Sequence, residues 1–212
     1  MNVLVACEES QRVCLAFKEK GANAFSCDIQ ECSGGRPDLH VQGDCRKLFK
    51  ESDINFTTCD GKEHHVEKWD LIISHPPCTY FTKAGAKHLY KNGKIDPIRY
   101  NKMLDMKELF YACLHAPADY ICVENPTPMK IVGLPPHTQV IQPYEYGHNF
   151  TKRTLLWLKN LPPLTPTDIK EFRISLMCFA HDAKERSKTF TGIAKAMADQ
   201  WYNYINEVIN ND

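Results

Sequence analysis

The sequence lacks several features that would assign it to common classes of protein. No apolar run is long enough to span a membrane. The opening residues, MNVLVACEES, have neither the basic start nor the long apolar centre of a secretion signal, so we read them as a first strand and expect a cytoplasmic protein. There is also no internal repeat and no low-complexity tract, which excludes solenoid architectures.

An excess of either charge is missing too. The 26 Lys and Arg residues balance the 26 Asp and Glu residues, which argues against a general polyanion-binding surface. Between residues 79 and 102, however, basic side chains are opposed by Asp96 alone, and this run begins directly after Cys78. The run is either a solvated loop or a phosphate-binding segment, and its position favours phosphates. The candidate nucleic-acid-binding residues in it are Lys83, Lys87, Lys91 and Arg99.

Cysteine is abundant, but neither a disulfide framework nor a metal site is indicated. The ten cysteines are scattered over 212 residues, enough chain to build a core without covalent staples, so we expect reduced thiols. The closest pair, Cys27 and Cys32, does not have zinc-knuckle spacing, and the nine histidines form no ligand pattern. No metal is therefore predicted.

The stretch from Asp70 to Tyr80, DLIISHPPCTY, is the most informative part of the chain. Residues 71–73 form a short apolar run typical of a buried strand, and the two prolines end it abruptly. Cys78 therefore lies on a rigid turn beyond the carboxyl end of a strand, which is where ligands bind in open α/β sheets. A cysteine there is either a nucleophile or a buried structural residue, and this stretch alone leaves both open.

Strand patterns alternate with helix patterns along the chain. Strands are predicted at 2–6, 24–28, 39–41, 71–73, 120–123, 139–142 and 155–158. We expect a seven-stranded, mostly parallel α/β sheet with helices on both faces, in one domain spanning 1–212. Residues 45–68 look polar and irregular, with a short helix near 48–49 and a surface insertion around 57–65.

Three helices are predicted between these strands. The first spans 10–20 with Ser10 as its cap. The second follows Pro97, and its residues Leu104, Glu108, Tyr111 and Leu114 or His115 should share a face, with Phe110 beside it. The third starts at Gly192 and carries an apolar stripe. The stripe consists of Ile193, Met197, Trp201, Tyr204, Ile205 and Val208.

Four strand ends carry polar groups: Asp28, Asp44, Cys78 and Glu124. Because the carboxyl ends of parallel strands share one edge of a sheet, these groups should converge. An acid after the second strand suits ribose hydroxyls, and Asp44 could accept from an exocyclic amine. Each acid alone could equally cap a helix or anchor a loop. Together they predict a nucleoside-containing cofactor, with chemistry at the next two strand ends.

Two triplets carry a family resemblance. Pro76-Pro77-Cys78 followed by Glu124-Asn125-Pro126 resembles the paired PPC and ENV signatures of cytosine-5 DNA methyltransferases. Four further segments resemble parts of the same family. Residues 26–29 resemble its second strand, 43–44 its third motif, 146–155 its basic segment, and 191–194 its closing motif. The resemblance extends over nearly the whole chain and is strongest to short phage- or prophage-type members.

This resemblance implies a Rossmann-like class I methyltransferase fold, a location in the cytoplasm of a bacterial host, and methyl transfer to C5 of cytosine in DNA. Cys78 would bond to C6 of a flipped or single-stranded cytosine, Glu124 would act at N3, and Arg153 or Lys152 would hold the base carbonyl. The implied cofactor is S-adenosylmethionine. Its expected binding residues are Cys7, Glu8, Asp28, Ile29, Asp44 and Pro76.

The chain departs from the family pattern in three places. The first loop, residues 6–11, contains none of the glycines that let backbone approach the cofactor. The family's Gln-Arg-Arg pattern is represented by Thr151-Lys152-Arg153, and residues 167–187 are all that remains of a recognition domain. We interpret 167–187 as a vestigial recognition segment.

Other functions stay open at this level. A non-catalytic homologue that binds cofactor or nucleic acid would explain the altered first loop, and the short recognition segment would suit RNA or a free nucleotide. An amino-methyltransferase also has a diproline turn, but it needs Asp, Asn or Ser before the prolines and an aromatic after them, where this chain has His75 and Cys78.

Overall fold

The computed structural model of the chain describes residues 1–82, 86–176 and 183–211. A seven-stranded sheet in the order β3-β2-β1-β6-β9-β12-β10 forms its centre. These strands are β1 Asn2–Ala6, β2 Asn23–Asp28, β3 His40–Gln42, β6 Trp69–Ser74, β9 Ala118–Pro126, β10 Gln139–Ile141 and β12 Thr154–Lys159. All pairs are parallel except those that β12 makes with β9 and β10. The predicted α/β class, with a seven-stranded and mostly parallel sheet covered by helices on both faces, is confirmed.

The smaller strands form three pairs outside the central sheet. They are β4 Ile54–Thr57 with β5 Glu63–Val66, β7 Tyr90–Lys91 with β8 Lys94–Ile95, and β11 Phe150–Thr151 with β13 Ile174–Ser175. The helices are α1 Arg12–Glu19, α2 Ala86–Leu89, α3 Pro97–Leu114, α4 Ala183–Ser187 and α5 Thr191–Asn211. Among the described residues, no helix combines the length and the apolar character needed to cross a bilayer.

Helices cover both faces of the sheet. Tyr204 of α5 packs edge-on against Tyr120 of β9, with ring centroids 6.2 Å apart. Phe110 of α3 packs against Trp157 of β12 at 4.9 Å, and Trp157 is the register partner of Val123. Because residues 120 and 123 of one strand point to opposite faces, α5 and α3 lie on opposite sides of the sheet.

The predicted cap of the first helix is wrong. Helix α1 begins at Arg12, and its first free amides are satisfied by the buried carboxylate of Glu8 rather than by Ser10. Glu8 accepts hydrogen bonds from the backbone N–H groups of Val13 at 2.7 Å and Cys14 at 3.1 Å. The chain turns at Gln11, where φ is +58°, so the side chain that precedes the turn reaches the helix end.

The face predicted to be shared along α3 is not the buried one, although Phe110, predicted beside it, is buried. Met103, Phe110 and Cys113 are buried, whereas Leu104 is 38% exposed. Apolar residues occur around the whole of this helix, so periodicity does not fix which side faces the sheet; packing of Phe110 on the sheet does. In α5 the predicted stripe is buried at its centre, but Tyr204 is 37% exposed and Val208 is half-buried.

The short helix predicted near 48–49 is present as a 3-10 helix, Cys45–Leu48. The region predicted as irregular, with an insertion around 57–65, forms the β4–β5 hairpin instead. Phe56 of β4 is buried and packs against Phe25 of β2, with ring centroids 5.0 Å apart. Alternate residues of β4 point inward, so this hairpin extends the core beside β2.

Gly192 at the start of α5 makes the closest backbone approach in the fold. A side-chain carbon there would collide with the carbonyl oxygen of Tyr146, and the Gly192 N–H donates to Nε2 of His148 at 3.0 Å. We expect Gly192→Ala to lower the free energy of unfolding by about 1–3 kcal/mol, measured by urea denaturation. Gly43→Ala is the matched control, because no atom lies within 4 Å of an added carbon there. Equal midpoints for the two variants would contradict this packing.

Candidate active site at the carboxyl edge of the sheet

A cleft of about 870 Å³, which we call the carboxyl-edge cleft, opens beyond the ends of β6 and β9. Its walls come from the turn after β6, the end of β9, the segment before β12 and the chain around β13 and α4. All four residues predicted to be catalytic line it: Cys78, Glu124, Lys152 and Arg153. The cleft therefore places a thiol, a carboxyl group and two cationic side chains around one space.

The turn that carries Cys78 is held at both ends. Prolines 76 and 77 have no N–H to donate, so the turn depends on its neighbours. The Asn125 side-chain amide donates to the Pro76 carbonyl at 2.7 Å, and the His75 N–H donates to the Ala6 carbonyl at 2.9 Å. Beyond the prolines, the Cys78 carbonyl accepts from the N–H of Phe81 at 2.9 Å. These bonds fix the backbone position from which the Cys78 side chain projects.

Glu124 is a buried carboxyl group paired with His75. Its Oε2 lies 3.2 Å from Nδ1 of His75, and the two side chains are 11% and 9% exposed. Burial acts to raise the pKa of Glu124, but the His75 hydrogen bond and the charges of Lys152 and His75 outweigh it and hold the pKa below its usual value. Glu124 is therefore ionised at neutral pH in the free protein.

Cys78, unlike Glu124, favours its protonated state. Burial first, and then the charge of Glu124, raise the pKa of the Cys78 thiol, while Lys152 lowers it to a smaller extent. The net shift is upward, so Cys78 is a thiol when the cleft holds no ligand. Together, Cys78 and Glu124 then carry one proton, on sulfur.

Lys152 and Arg153 enter the cleft from the segment just before β12. The backbone N–H of Lys152 donates to Oε1 of Gln142 at 2.9 Å, which anchors this segment to the end of β10. The Lys152 side chain is half-buried and that of Arg153 is exposed. Lys152 is the cation that lowers the pKa of both Cys78 and Glu124.

The predicted cofactor residues all follow the carboxyl ends of β1, β2, β3 and β6, but several are engaged by the chain itself. Glu8 caps α1 with both of its oxygens. Asp44 accepts from the backbone and the guanidinium of Arg46, each at 3.0 Å. The Pro76 carbonyl is occupied as described above. Asp28 is half-buried, and burial raises its pKa, while Ile29 is 73% exposed.

The glycine-free first loop follows a path that glycine would favour. Cys7 and Gln11 both have φ of +58°, a conformation that is unfavourable for side-chain-bearing residues and is often retained at functional sites. Gln11 is held there by its side chain, which donates to the Arg36 carbonyl at 2.8 Å and accepts from the Arg36 N–H at 3.0 Å. A Cβ on Gly34 would collide with Gln11, so that glycine is required.

One buried atom beside this loop calls for a hydrogen-bond donor. Oε2 of Glu9 is buried and has no hydrogen-bond partner within the described ranges. Buried carboxylate oxygens are normally paired, so a donor from a ligand would satisfy it. An ammonium group such as that of S-adenosylmethionine fits this requirement, and Asp28 leaves a carboxylate oxygen for a ribose hydroxyl. The residues at this edge therefore fit the cofactor.

The predicted phosphate-binding residues are placed unevenly. Arg99 lines the cleft, donates to the Thr79 carbonyl at 3.1 Å and lies over the ring of Tyr80. Lys91 pairs with Asp96 at 2.6 Å in a side pocket of about 270 Å³ that shares Arg99 with the cleft. Lys87 falls in α2, and Lys83 lies outside the described residues.

The remaining cysteines and acids form no metal cluster in the part of the chain that the structure describes. The nine described cysteines are free thiols, as the sequence predicts, and Cys178 lies outside the described ranges. Cys7 and Cys45 are neighbours across the first loop, with their sulfurs 3.8 Å apart.

Sequence reasoning missed His75, which entered it only as a mismatch to another motif. A signal was available. His75 follows a buried strand, and Glu124 ends the next parallel strand of the predicted order, so the two belong to one edge of the sheet.

No protein-family model matches the chain, and no curated protein matches it. Among solved structures, one described as a candidate DNA modification methyltransferase encoded within an E. coli prophage is similar, at 14% identity and a TM-score of 0.46. The match covers 80% of this chain and 52% of that one, so the chain spans about half the length of that protein.

The opposing effects on Cys78 can be measured by alkylation. In Glu124→Gln, loss of the carboxylate charge should lower the pKa of Cys78, so its reaction with iodoacetamide should begin at lower pH. In Lys152→Met it should begin at higher pH. Mass spectrometry of the Cys78 peptide separates it from the other cysteines, and the exposed Cys59 serves as an internal control. Identical pH profiles in both variants would show that neither charge acts on Cys78.

Proposed function

We propose that the chain is an S-adenosylmethionine-dependent methyltransferase that modifies C5 of cytosine in DNA through a covalent bond between Cys78 and C6. The observation that supports this is the shared cleft: Cys78 and Glu124 both line it, at the ends of adjacent parallel strands. Addition of a nucleophile to C6 and donation of a proton at N3 require these two groups on one pyrimidine.

The protons balance without an external base in the first step. In the free protein one proton is shared by Cys78 and Glu124 and rests on sulfur. When Sγ bonds to C6, the thiol proton passes to the Glu124 carboxylate, and N3 receives that proton from Glu124 as electrons move into the ring. Lys152 or Arg153 holds the base carbonyl while negative charge develops there. After C5 has been methylated, loss of the C5 proton to solvent expels Sγ from C6, and return of the N3 proton through Glu124 restores the thiol.

S-adenosylmethionine, when bound, supplies an electrophilic methyl group. We assign its binding to the first loop and the three neighbouring strand ends, through Cys7, Glu8, Asp28, Ile29, Asp44 and Pro76. Glu9 joins this set because its buried Oε2 accepts a hydrogen bond from the ammonium group. Glu8 acts indirectly, since its carboxylate holds the start of α1 beside the loop.

DNA is the proposed partner. A cytosine inside a duplex does not reach the cleft, so the base must be flipped out or single-stranded. Arg99 at the cleft and Lys91 beside it, with Lys83 and Lys87 of the same run, contact the backbone phosphates. Residues 167–187 act as a short recognition segment, because Ser175, Leu176, Arg186 and Ser187 from it line the cleft.

One observation favours a different function. Asp44 is bound by Arg46, and Glu8 is bound by α1, so two acids of the cofactor edge are already engaged. A homologue that binds nucleic acid without methylating it would tolerate this arrangement. The short recognition segment likewise favours cytosine in RNA or a free nucleotide as the substrate.

A mechanism-based trap distinguishes these functions. We incubate the protein with tritiated S-adenosylmethionine and DNA oligonucleotides that carry 5-fluorocytosine, which blocks release of the enzyme. A labelled protein–DNA adduct is expected on denaturing gels; Cys78→Ser should abolish it and Cys59→Ser should retain it. Formation should weaken as salt rises, because phosphates contribute to binding.

The other outcomes each identify a rival. An adduct formed on RNA or on a nucleotide, and not on DNA, would show that RNA or a nucleotide is the substrate. Cofactor binding without any adduct or label would support the non-catalytic homologue. Labelled N6-methyladenine or N4-methylcytosine in unmodified DNA would indicate an amino-methyltransferase.

A further inference from the structure

We propose that His75 is a positioning residue for Glu124: its Nδ1–H holds Oε2 so that the carboxylate stays oriented toward the cleft until a pyrimidine binds. The catalytic consequence depends on the proposed function. The contact itself does not, and it is tested separately below.

The sheet fixes this pair. Strands β6 and β9 are parallel neighbours, with Ser74 in register with Val123, so the next residues of the two strands are His75 and Glu124. The His75 backbone is tied to the end of β1 by its bond to the Ala6 carbonyl. Both side chains are close to nine-tenths buried, and their polar atoms meet at 3.2 Å.

The direction of the hydrogen bond follows from the chemistry of the two groups. An ionised carboxylate can only accept, so Nδ1 must carry the hydrogen. Nε2 of His75 is buried and has no hydrogen-bond partner in the described part of the chain. Glu124 is therefore the group that sets the orientation of the imidazole, and the imidazole in turn fixes one of the two Glu124 oxygens. The second oxygen, Oε1, remains for a ligand.

Other charged groups surround the pair without replacing this bond. Glu8, in the loop after β1, interacts electrostatically with His75, and its own carboxylate is held by α1. Lys152 and Cys78 act on Glu124 from the cleft, and Cys122 lies two residues before it in β9. The described hydrogen bond to the Glu124 side chain is that of His75.

The His75 hydrogen bond therefore sets how many protons Cys78 and Glu124 carry together. Without the His75 donor, burial would dominate and raise the pKa of Glu124. Glu124 would then take up a proton at a higher pH, and the pair with Cys78 would carry two protons rather than one. That state has no carboxylate to receive the thiol proton, so addition to C6 would fail. The acid limb of the pH–rate profile should report this event.

Three variants separate the position of the donor from simple filling of space. His75→Asn keeps an N–H near the place of Nδ1, whereas His75→Gln extends its amide toward the place of Nε2. His65→Asn is the matched control, because His65 is an exposed residue of β5 that does not line the cleft. Thermal unfolding and S-adenosylmethionine binding are recorded for each, so a folding defect is recognised.

Two readouts are measured. The first is kcat/KM for methyl transfer against pH: the acid limb should move up by about one to two pH units in His75→Gln and much less in His75→Asn. The second is the carboxyl ¹³C resonance of Glu124, assigned with Glu124→Gln, which should titrate at higher pH in His75→Gln. The second readout needs no activity.

The two readouts distinguish failure of the inference from failure of the proposed function. If no cytosine substrate is methylated and the Glu124 resonance still shifts in His75→Gln, the proposed function fails and the pairing stands. If the resonance titrates alike in the native protein, His75→Asn and His75→Gln, the inference is overturned whatever the activity. Equal acid limbs in an active set of variants would overturn it as well.

Discussion

The register between β6 and β9 is the constraint on which the site depends. Because Ser74 lies beside Val123, the turn after β6 meets the end of β9, and Asn125 can donate to the carbonyl of Pro76. A slip of one residue would turn the following side chains to the other face of the sheet. The positions of the thiol and the carboxyl group are thus set by the backbone hydrogen bonds of the sheet and by the bonds that hold the turn after β6.

Much of the fold could be predicted because buried parallel strands are apolar runs ended by turn residues. All seven central strands were found in this way, and the strand ends identified Cys78 and Glu124 as neighbours. The predictions that failed concerned features that are set by contacts between residues distant in sequence. The cap of α1 comes from Glu8 through a left-handed turn, and the inner face of α3 is set by Phe110 packing on Trp157. Neither arrangement leaves a local pattern.

The four residues that share the cleft could be predicted as a set, but their electrostatic arrangement could not. Spacing alone gives no burial, so it could not show that Cys78 and Glu124 prefer opposite protonation states. That preference arises because burial and the charge of Glu124 raise the pKa of Cys78. At Glu124 the His75 hydrogen bond and the charges of Lys152 and His75 outweigh burial and lower the pKa. The same desolvation explains why an imidazole beneath Glu124 matters: in a low dielectric, one well-placed donor outweighs several distant charges.

The first loop shows how a left-handed backbone path can be kept without glycine. Glycine adopts the left-handed conformation without a steric cost, but it also loses more conformational entropy on folding than other residues do. Here Cys7 and Gln11 adopt that conformation with side chains present, and Gln11 offsets the cost by bridging to Arg36 and Ser26. The loop is therefore held by hydrogen bonds instead of being permitted by the absence of a side chain. This edge of the sheet presents Cys7 and Oε2 of Glu9, a buried oxygen with no hydrogen-bond partner among the described residues.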